Sequence, residues 1–322
     1  MNLSGAPAPR PQVAILGPHP VLAVNIEPYP GGADEIHFHP GGQGVWVARM
    51  AAALGADPIL CGFLGGETGQ LLEPLLAGMP GERRFVRTAA DSGSFIMDRR
   101  GGSYERVAQA FGTPPGRHEV DALVSATIAA ALRCGLLVLC NPLPGDALSE
   151  EFYERIVADV RGHGVRVLAD LSSPRLNAAL RGGLDLVKIN DWELAEYVSG
   201  PVEDPHDLAR AASRIMADGS QAVIITRGER SAMVFRGEDR WELTAPSFSH
   251  GFREGCGDSM MGAMAAILAT GGEWDHALRI GAAAGAVNFL RCGLGSADPD
   301  VVRELAPSVQ LELLPRLDPA AR

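Results

Sequence analysis

Short apolar runs alternate with longer amphipathic stretches along most of this chain. QVAIL (12–16), VLAVNI (21–26), PILCGFL (58–64), GLLVLC (135–140), VRVLADL (165–171), DLVKIN (185–190) and AVIIT (222–226) are rich in aliphatic and β-branched residues and too short for buried helices, so they predict strands. The stretches 42–55, 119–133, 147–161, 191–198, 204–218, 257–270 and 274–291 carry apolar residues at helical spacing. Repeated strand–helix alternation predicts an α/β fold: a doubly wound, mostly parallel sheet with helices on both faces. EIHFHP (35–40) and GSFIMDRR (93–100) break the rhythm. They alternate apolar and polar positions with no helix directly after them, which predicts a small accessory sheet standing off the main body.

The chain has 322 residues, 46% of them hydrophobic, enough to bury a sizeable core. The Pro/Ala-rich residues 1–11 predict a flexible tail, residues 12–306 a single domain, and 307–322 a C-terminal tail. A net charge of -11 argues against a nucleic-acid footprint or a polybasic membrane patch. No apolar run of 18 residues occurs, and the N-terminus lacks the pattern of a signal peptide. Five scattered cysteines with no C-x-x-C pair argue against a disulfide framework or zinc site and fit a cytoplasmic protein. Lys188 is the only lysine, and it lies between Val187 and Ile189, which excludes a Walker A loop.

In such folds ligands gather at the carboxyl ends of strands and at helix N-termini. Gly255-Cys256-Gly257-Asp258 stands at the start of a helical run. Amides freed of bulky side chains can converge there on a phosphoryl anion, with a carboxylate beside them to accept a proton. Asp258 as a helix cap is the competing reading. Asn190 and Glu193 share a helix face after a buried strand. They suit a hydrated Mg²⁺ on nucleotide phosphates, or equally a capping pair. Lys188, buried in that strand, needs a partner, for which phosphate is a natural choice. Gly41 and Gly42 open another helix, and Gly62 to Gly65 another strand-to-helix turn. His37 and His39 share a strand face, at a spacing that suits substrate contact or packing better than a metal.

These four segments, in this order and spacing, resemble the PfkB/ribokinase family of carbohydrate kinases over about residues 12–296. The chain reads Gly41-Gly42, Gly62…Gly65, Asn190…Glu193 and Gly255-Cys256-Gly257-Asp258, where the family has Gly-Gly, G-x-x-G, N-x-x-E and G-A-G-D. HPGG, VAR at 47–49 and GDSMMG are most similar to the 1-phosphofructokinase and tagatose-6-phosphate kinase branch.

The resemblance implies a ribokinase-like fold, with lid strands from about 20–40 and 84–107 closing over the substrate. It implies Asp258 as catalytic base, the amides of Gly255, Cys256 and Gly257 as an anion hole, and Asn190 and Glu193 as organisers of Mg²⁺, mainly through water. Thr226, Gly228 and Gly285 would meet ATP along with Lys188, and Gly41, Gly42 and Gln43 would meet the sugar. Homodimerisation through the lid is an arrangement that the alternation at 93–98 allows.

The acceptor side departs from the pattern. Gln43 stands where the branch has Lys, GPHPVLAV (17–24) lacks the branch's aspartate, Asn141-Pro142 stand where small residues are usual, and Arg253-Glu254 replace Thr-Val. Arginines offer compensation: Arg106 beside the lid and Arg253 next to the catalytic turn suit a substrate phosphate, with Arg87, Arg99 and Arg100 nearby. The expected activity is ATP-dependent phosphorylation of a hydroxyl on a sugar or sugar phosphate. A kinase of a nucleoside or other non-phosphorylated alcohol is the alternative, and a non-catalytic ligand-binding relative a third.

Overall fold

The computed structural model of the protein describes residues 10–29, 31–101, 105–202, 204–291 and 294–316. Its first half runs β1 (Gln12–Leu16), β2 (Val21–Pro28), β3 (Asp34–Gly41), α1 (Gln43–Ala53), β4 (Asp57–Gly65), α2 (Gly66–Ala77), β5 (Glu82–Thr88), β6 (Ser94–Asp98), β7 (Glu105–Ala110), α3 (Arg117–Cys134), β8 (Leu136–Cys140) and α4 (Glu150–Arg161). The second half runs β9 (Arg166–Asp170), α5 (Arg175–Gly182), β10 (Leu186–Asn190), α6 (Asp191–Val198), α7 (Pro205–Ala217), β11 (Ala222–Arg227), β12 (Arg230–Arg236), β13 (Asp239–Thr244), α8 (Cys256–Ala269), α9 (Trp274–Phe289), α10 (Pro299–Leu305) and β14 (Gln310–Leu313).

Ten strands form the main sheet in the order β14-β13-β12-β11-β10-β9-β8-β1-β4-β5. From β5 to β11 every neighbouring pair is parallel, and β12 to β14 close the other edge antiparallel. Alternation along each strand then sorts side chains into two cores. Ile15, Val138, Leu168, Leu186 and Ile224 pack against α1, α8 and α9. Leu16, Leu139, Val167, Val187, Ile189 and Ile225 pack against α3 to α7 on the opposite face. The predicted doubly wound architecture is therefore present, with α6 at the predicted bounds and most other predicted elements within a few residues.

A separate four-stranded sheet, β3-β2-β6-β7, is the lid. The expected lid span of 84–107 divides: β5 pairs in parallel with β4 at the edge of the main sheet, so only β6 and β7 join the lid. ERRFVRT in β5 is polar because it is an exposed edge, which hides it from a search for apolar runs. Residues 307–322 are likewise not simply a tail, since β14 pairs antiparallel with β13; residues 317–322 lie outside the described residues, as do 1–9 of the expected N-terminal tail. Among the described residues, no helix is long and apolar enough to cross a membrane.

Candidate active site

Parity along the central strands decides what meets at their carboxyl ends. Lys188 and Asn190 follow Leu186 at intervals of two, and Asp170 follows Leu168, so all three point to the α8 side of the sheet. There Lys188 Nζ lies 2.8 Å from Asp170 Oδ2, and both side chains are buried. Among the described residues, Asp170 Oδ2 has no hydrogen-bond partner apart from this ion pair. The buried lysine thus has a carboxylate of the protein as one partner, which the sequence reading had not identified. Lys188 nonetheless reaches the loop in question: a Cβ on Gly257 would stand 2.7 Å from its Nζ. A larger residue at 257 would have to displace that ammonium from its place against the start of α8.

Gly255 caps α8 with φ +74°, a left-handed conformation that glycine adopts without strain. Asp258 is the third residue of the helix. Burial, then the negative charge of Asp170, pushes its carboxyl up to about 7, while Lys188 and a hydrogen bond from Gln43 pull the other way. Gln43, the first residue of α1, also donates to the Asp170 carbonyl at 3.2 Å and accepts from the Asn141 amide at 2.7 Å. It therefore ties the acceptor-side helix to the strand ends and to Asp258. Asn141 in turn donates to the Asp170 carbonyl at 3.3 Å and accepts from the Ser172 amide.

Asn190 caps α6. Its Oδ1 accepts from the Glu193 amide at 2.9 Å, and Glu193 Oε2 accepts from the Asn190 amide at 3.2 Å. The capping arrangement expected as a competing reading is real, yet it uses one oxygen of each side chain and leaves the second carboxylate oxygen of Glu193 spare. Burial first, then Asp170, raises the Glu193 pKa. Burial opposes charge on Lys188, but Asp170 and Asp258 outweigh it and hold its pKa above the ordinary lysine value. Three carboxyl groups thus surround one ammonium, a surplus of negative charge that suits a cation.

The remaining expected positions fall on either side. Thr226, at the end of β11, pairs in register with Asn190. Gly228, with φ +63°, shapes the turn into β12. Arg253 is exposed, ion-paired with Glu229, and stands over Gly228, so it lies on the Thr226 side of the centre. Gly285 on α9 approaches the Cys256 carbonyl, which a Cβ there would meet at 3.1 Å. Gly41 faces the lid, its Cβ position 3.6 Å from Ala23 Cβ and Phe95 Cζ. Arg106 is exposed on β7, bonds Gln109 at 2.8 Å and stands 5.9 Å from the centroid of the Phe95 ring, which itself lies against Gly41. Burial pushes the Cys256 thiol up to about 11, so it is a neutral small residue in this loop.

Two residues of the centre escaped the sequence reading. Asp170 ends a buried strand at the sheet's carboxyl edge, a position that itself was the signal. Asn288, fully buried on α9, donates to the Glu254 carbonyl at 2.9 Å and accepts from the Gly295 amide at 2.8 Å, bracing the loop before α8. Its only trace was that it is the single polar residue of the otherwise apolar stretch 280–289 of α9.

Comparison with known proteins agrees with this geometry. Residues 115–300 match the family described as pfkB family carbohydrate kinase. The chain is 30% identical over 261 residues to the ATP-dependent 6-phosphofructokinase isozyme 2 of Escherichia coli, covering 80% of this chain and 83% of that one. It is 28% identical to the 1-phosphofructokinase of Xanthomonas campestris, over 88% and 91% of the two chains. The crystal structure of phosphofructokinase-2 from Escherichia coli in complex with potassium superposes with a TM-score of 0.81 at 27% identity, over 92% of this chain and 98% of that one. Arabidopsis thaliana ribokinase, complexed with ribose and ATP, shares the fold with a TM-score of 0.72 at 19% identity, over 92% and 99%. A family match over more than half of the chain, and a curated relative 30% identical over most of both chains, show that the chain belongs to the pfkB family of carbohydrate kinases.

Proposed function

We propose that the protein transfers the terminal phosphoryl group of ATP to a hydroxyl of a sugar or sugar phosphate, with Asp258 as the general base. The observation that carries this reading is the Asp258 carboxyl, raised to about 7 beside a glycine-rich helix start. A base of that strength takes a proton from an attacking alcohol near neutral pH without remaining permanently ionised. The amides of Gly255, Cys256 and Gly257, with the Lys188 ammonium beneath Gly257, stabilise charge on the transferring group. Thr226, Gly228 and Gly285 hold ATP, and Gly41, Gly42 and Gln43 hold the acceptor.

Among the described residues, no cluster of three or more His, Cys, Asp or Glu forms a metal cage. Asn190 and the spare oxygen of Glu193 therefore suit a hydrated Mg²⁺ held through water. When bound, that ion neutralises phosphate charge. The residues of the chain position its water shell.

The lid's outer face is apolar: Phe38 and Ile36 on β3 are 55% and 59% exposed, and Val24, Ile26 and Ile96 continue the same face by register. A second copy of the chain is the natural cover, giving a homodimer through the lid. Phe38→Glu is expected to leave a monomer by light scattering, whereas a dimer unchanged by it would reject this interface.

The activity itself is tested with ATP and a panel of sugars and sugar phosphates. Asp258→Asn is expected to lower kcat by at least ~100-fold with the ATP KM changed less than about threefold. Near-normal turnover in that variant would remove Asp258 from the role.

A further inference from the structure

The cleft between the lid and α1 holds charge that the protein itself does not answer. On β2 and β3 the registers Ala23↔His39 and Asn25↔His37 place Ala23, Asn25 and His39 on the lid face opposite Phe38 and Ile36. Asn25, His39, Trp46, Arg49 and Leu294 line one narrow cleft. Trp46 and Arg49, three apart on α1, form its half-buried floor, while Val45, Val47, Ala48 and Met50 of the same helix are buried in the core. Leu294 also touches the anion hole, its Cβ lying 3.4 Å from where a Cβ on Gly255 would be. Leu294 therefore forms a wall shared by the cleft and the start of α8.

Arg49 has no hydrogen bond or ion pair with any described residue, and the like-charged Arg291 disfavours its charge through space. The lid acid Glu27 is already engaged by Arg99 at 2.8 Å. Asn25 is 4% exposed, and its Oδ1 has no partner among the described residues. A half-buried guanidinium with no carboxylate among the described residues paired to it, beside an unsatisfied buried amide, costs stability unless a ligand supplies an anion and a hydroxyl. We infer that Arg49 and Asn25 are the specificity-determining residues for the acceptor: Arg49 binds an anionic group of the sugar, a phosphate ester or a carboxylate, and Asn25 accepts one of its hydroxyls. Arg106, in register with Met97 and through it with Asn25, stands on the same lid face, but neither it nor Arg253 lines this cleft.

This inference rests on the kinase reading above. Initial rates are measured with ATP and three matched acceptors: a neutral hexose, its phosphate ester and its sugar acid. Wild type is expected to use an anionic member at least ~10-fold better in kcat/KM than the neutral one, and the better anionic arm identifies the group. Arg49→Met is expected to raise the KM for that acceptor ~30-fold, with kcat and the ATP KM within about threefold, and Arg49→Lys to recover part of the loss. Asn25→Asp, which adds a carboxylate to the cleft, is a second variant should Arg49→Met fail to fold. It is expected to raise the KM of the anionic acceptor more than that of the neutral one. An unchanged acceptor KM in folded Arg49→Met, an equal effect of Asn25→Asp on both acceptors, or a wild-type preference for the neutral hexose overturns this inference and leaves the kinase reading standing. A wild type that phosphorylates none of the three overturns both.

Discussion

A carboxylate that is to take a proton from an alcohol near neutral pH must have its own proton affinity raised, and the residues around Asp258 do this by burial and by placing Asp170 nearby. Lys188 limits the rise. Replacing Asp170 by Asn removes a negative neighbour and frees the lysine's charge to act on Asp258, so both effects lower the Asp258 pKa. Asp170→Asn is accordingly expected to shift the acidic limb of the kcat/KM profile to lower pH, measured as initial rate against pH; a shift to higher pH would contradict the arrangement. Because the charged groups here interact, the profile reports the cluster as a whole. Asp258, Asn190 and Glu193 stand out in the sequence because acids and amides at helix starts carry a physical signature, after glycines for Asp258 and after a short apolar run for Asn190 and Glu193. The partner of Lys188 does not, since strand parity brings Asp170 to it from a different strand and spacing along the chain does not record that.

At the level of elements, the turn proposed to bind the phosphoryl group is held by more than its own glycines. The loop at 251–255 is fastened by the Phe252 amide to the Phe289 carbonyl at 2.8 Å and by Asn288 to the Glu254 carbonyl. Asn288→Ala leaves the Glu254 carbonyl and the Gly295 amide without this partner. It is expected to destabilise the protein by about 2–4 kcal/mol in denaturant unfolding, two lost buried hydrogen bonds at the upper end of their range. It is also expected to lower kcat more than it raises the ATP KM, because the amides then lose their preorganised aim. The parallel strands were readable as apolar runs because both of their faces are covered. β5 and β12 to β14 were not, because edge and antiparallel strands keep a solvated side and their polar residues dilute the pattern.

On the scale of the molecule, the lid and the body meet at the place where water must be excluded. Arg99, at the end of β6, is buried, pairs with Glu27, and stands with its guanidinium carbon 4.1 Å from the centroid of the Phe252 ring. It links the lid to the loop that leads into α8, so the expectation that lid arginines serve a phosphate gives way, for Arg99, to a link between two parts of the protein. Arg99→Ala is expected to raise acceptor KM ~10-fold and to increase ATP hydrolysis relative to transfer, as the lid seats less well; unchanged coupling between ATP use and product would argue against that role. The central claim, a raised Asp258 carboxyl acting as base, is tested most directly by the pH dependence of kcat/KM in wild type and Asp258→Asn. The account predicts wild-type activity that rises with pH through a limb near 7, as Asp258 ionises, and a variant at least ~100-fold slower in which that limb is gone. The same limb retained at near-normal rate in Asp258→Asn would contradict it.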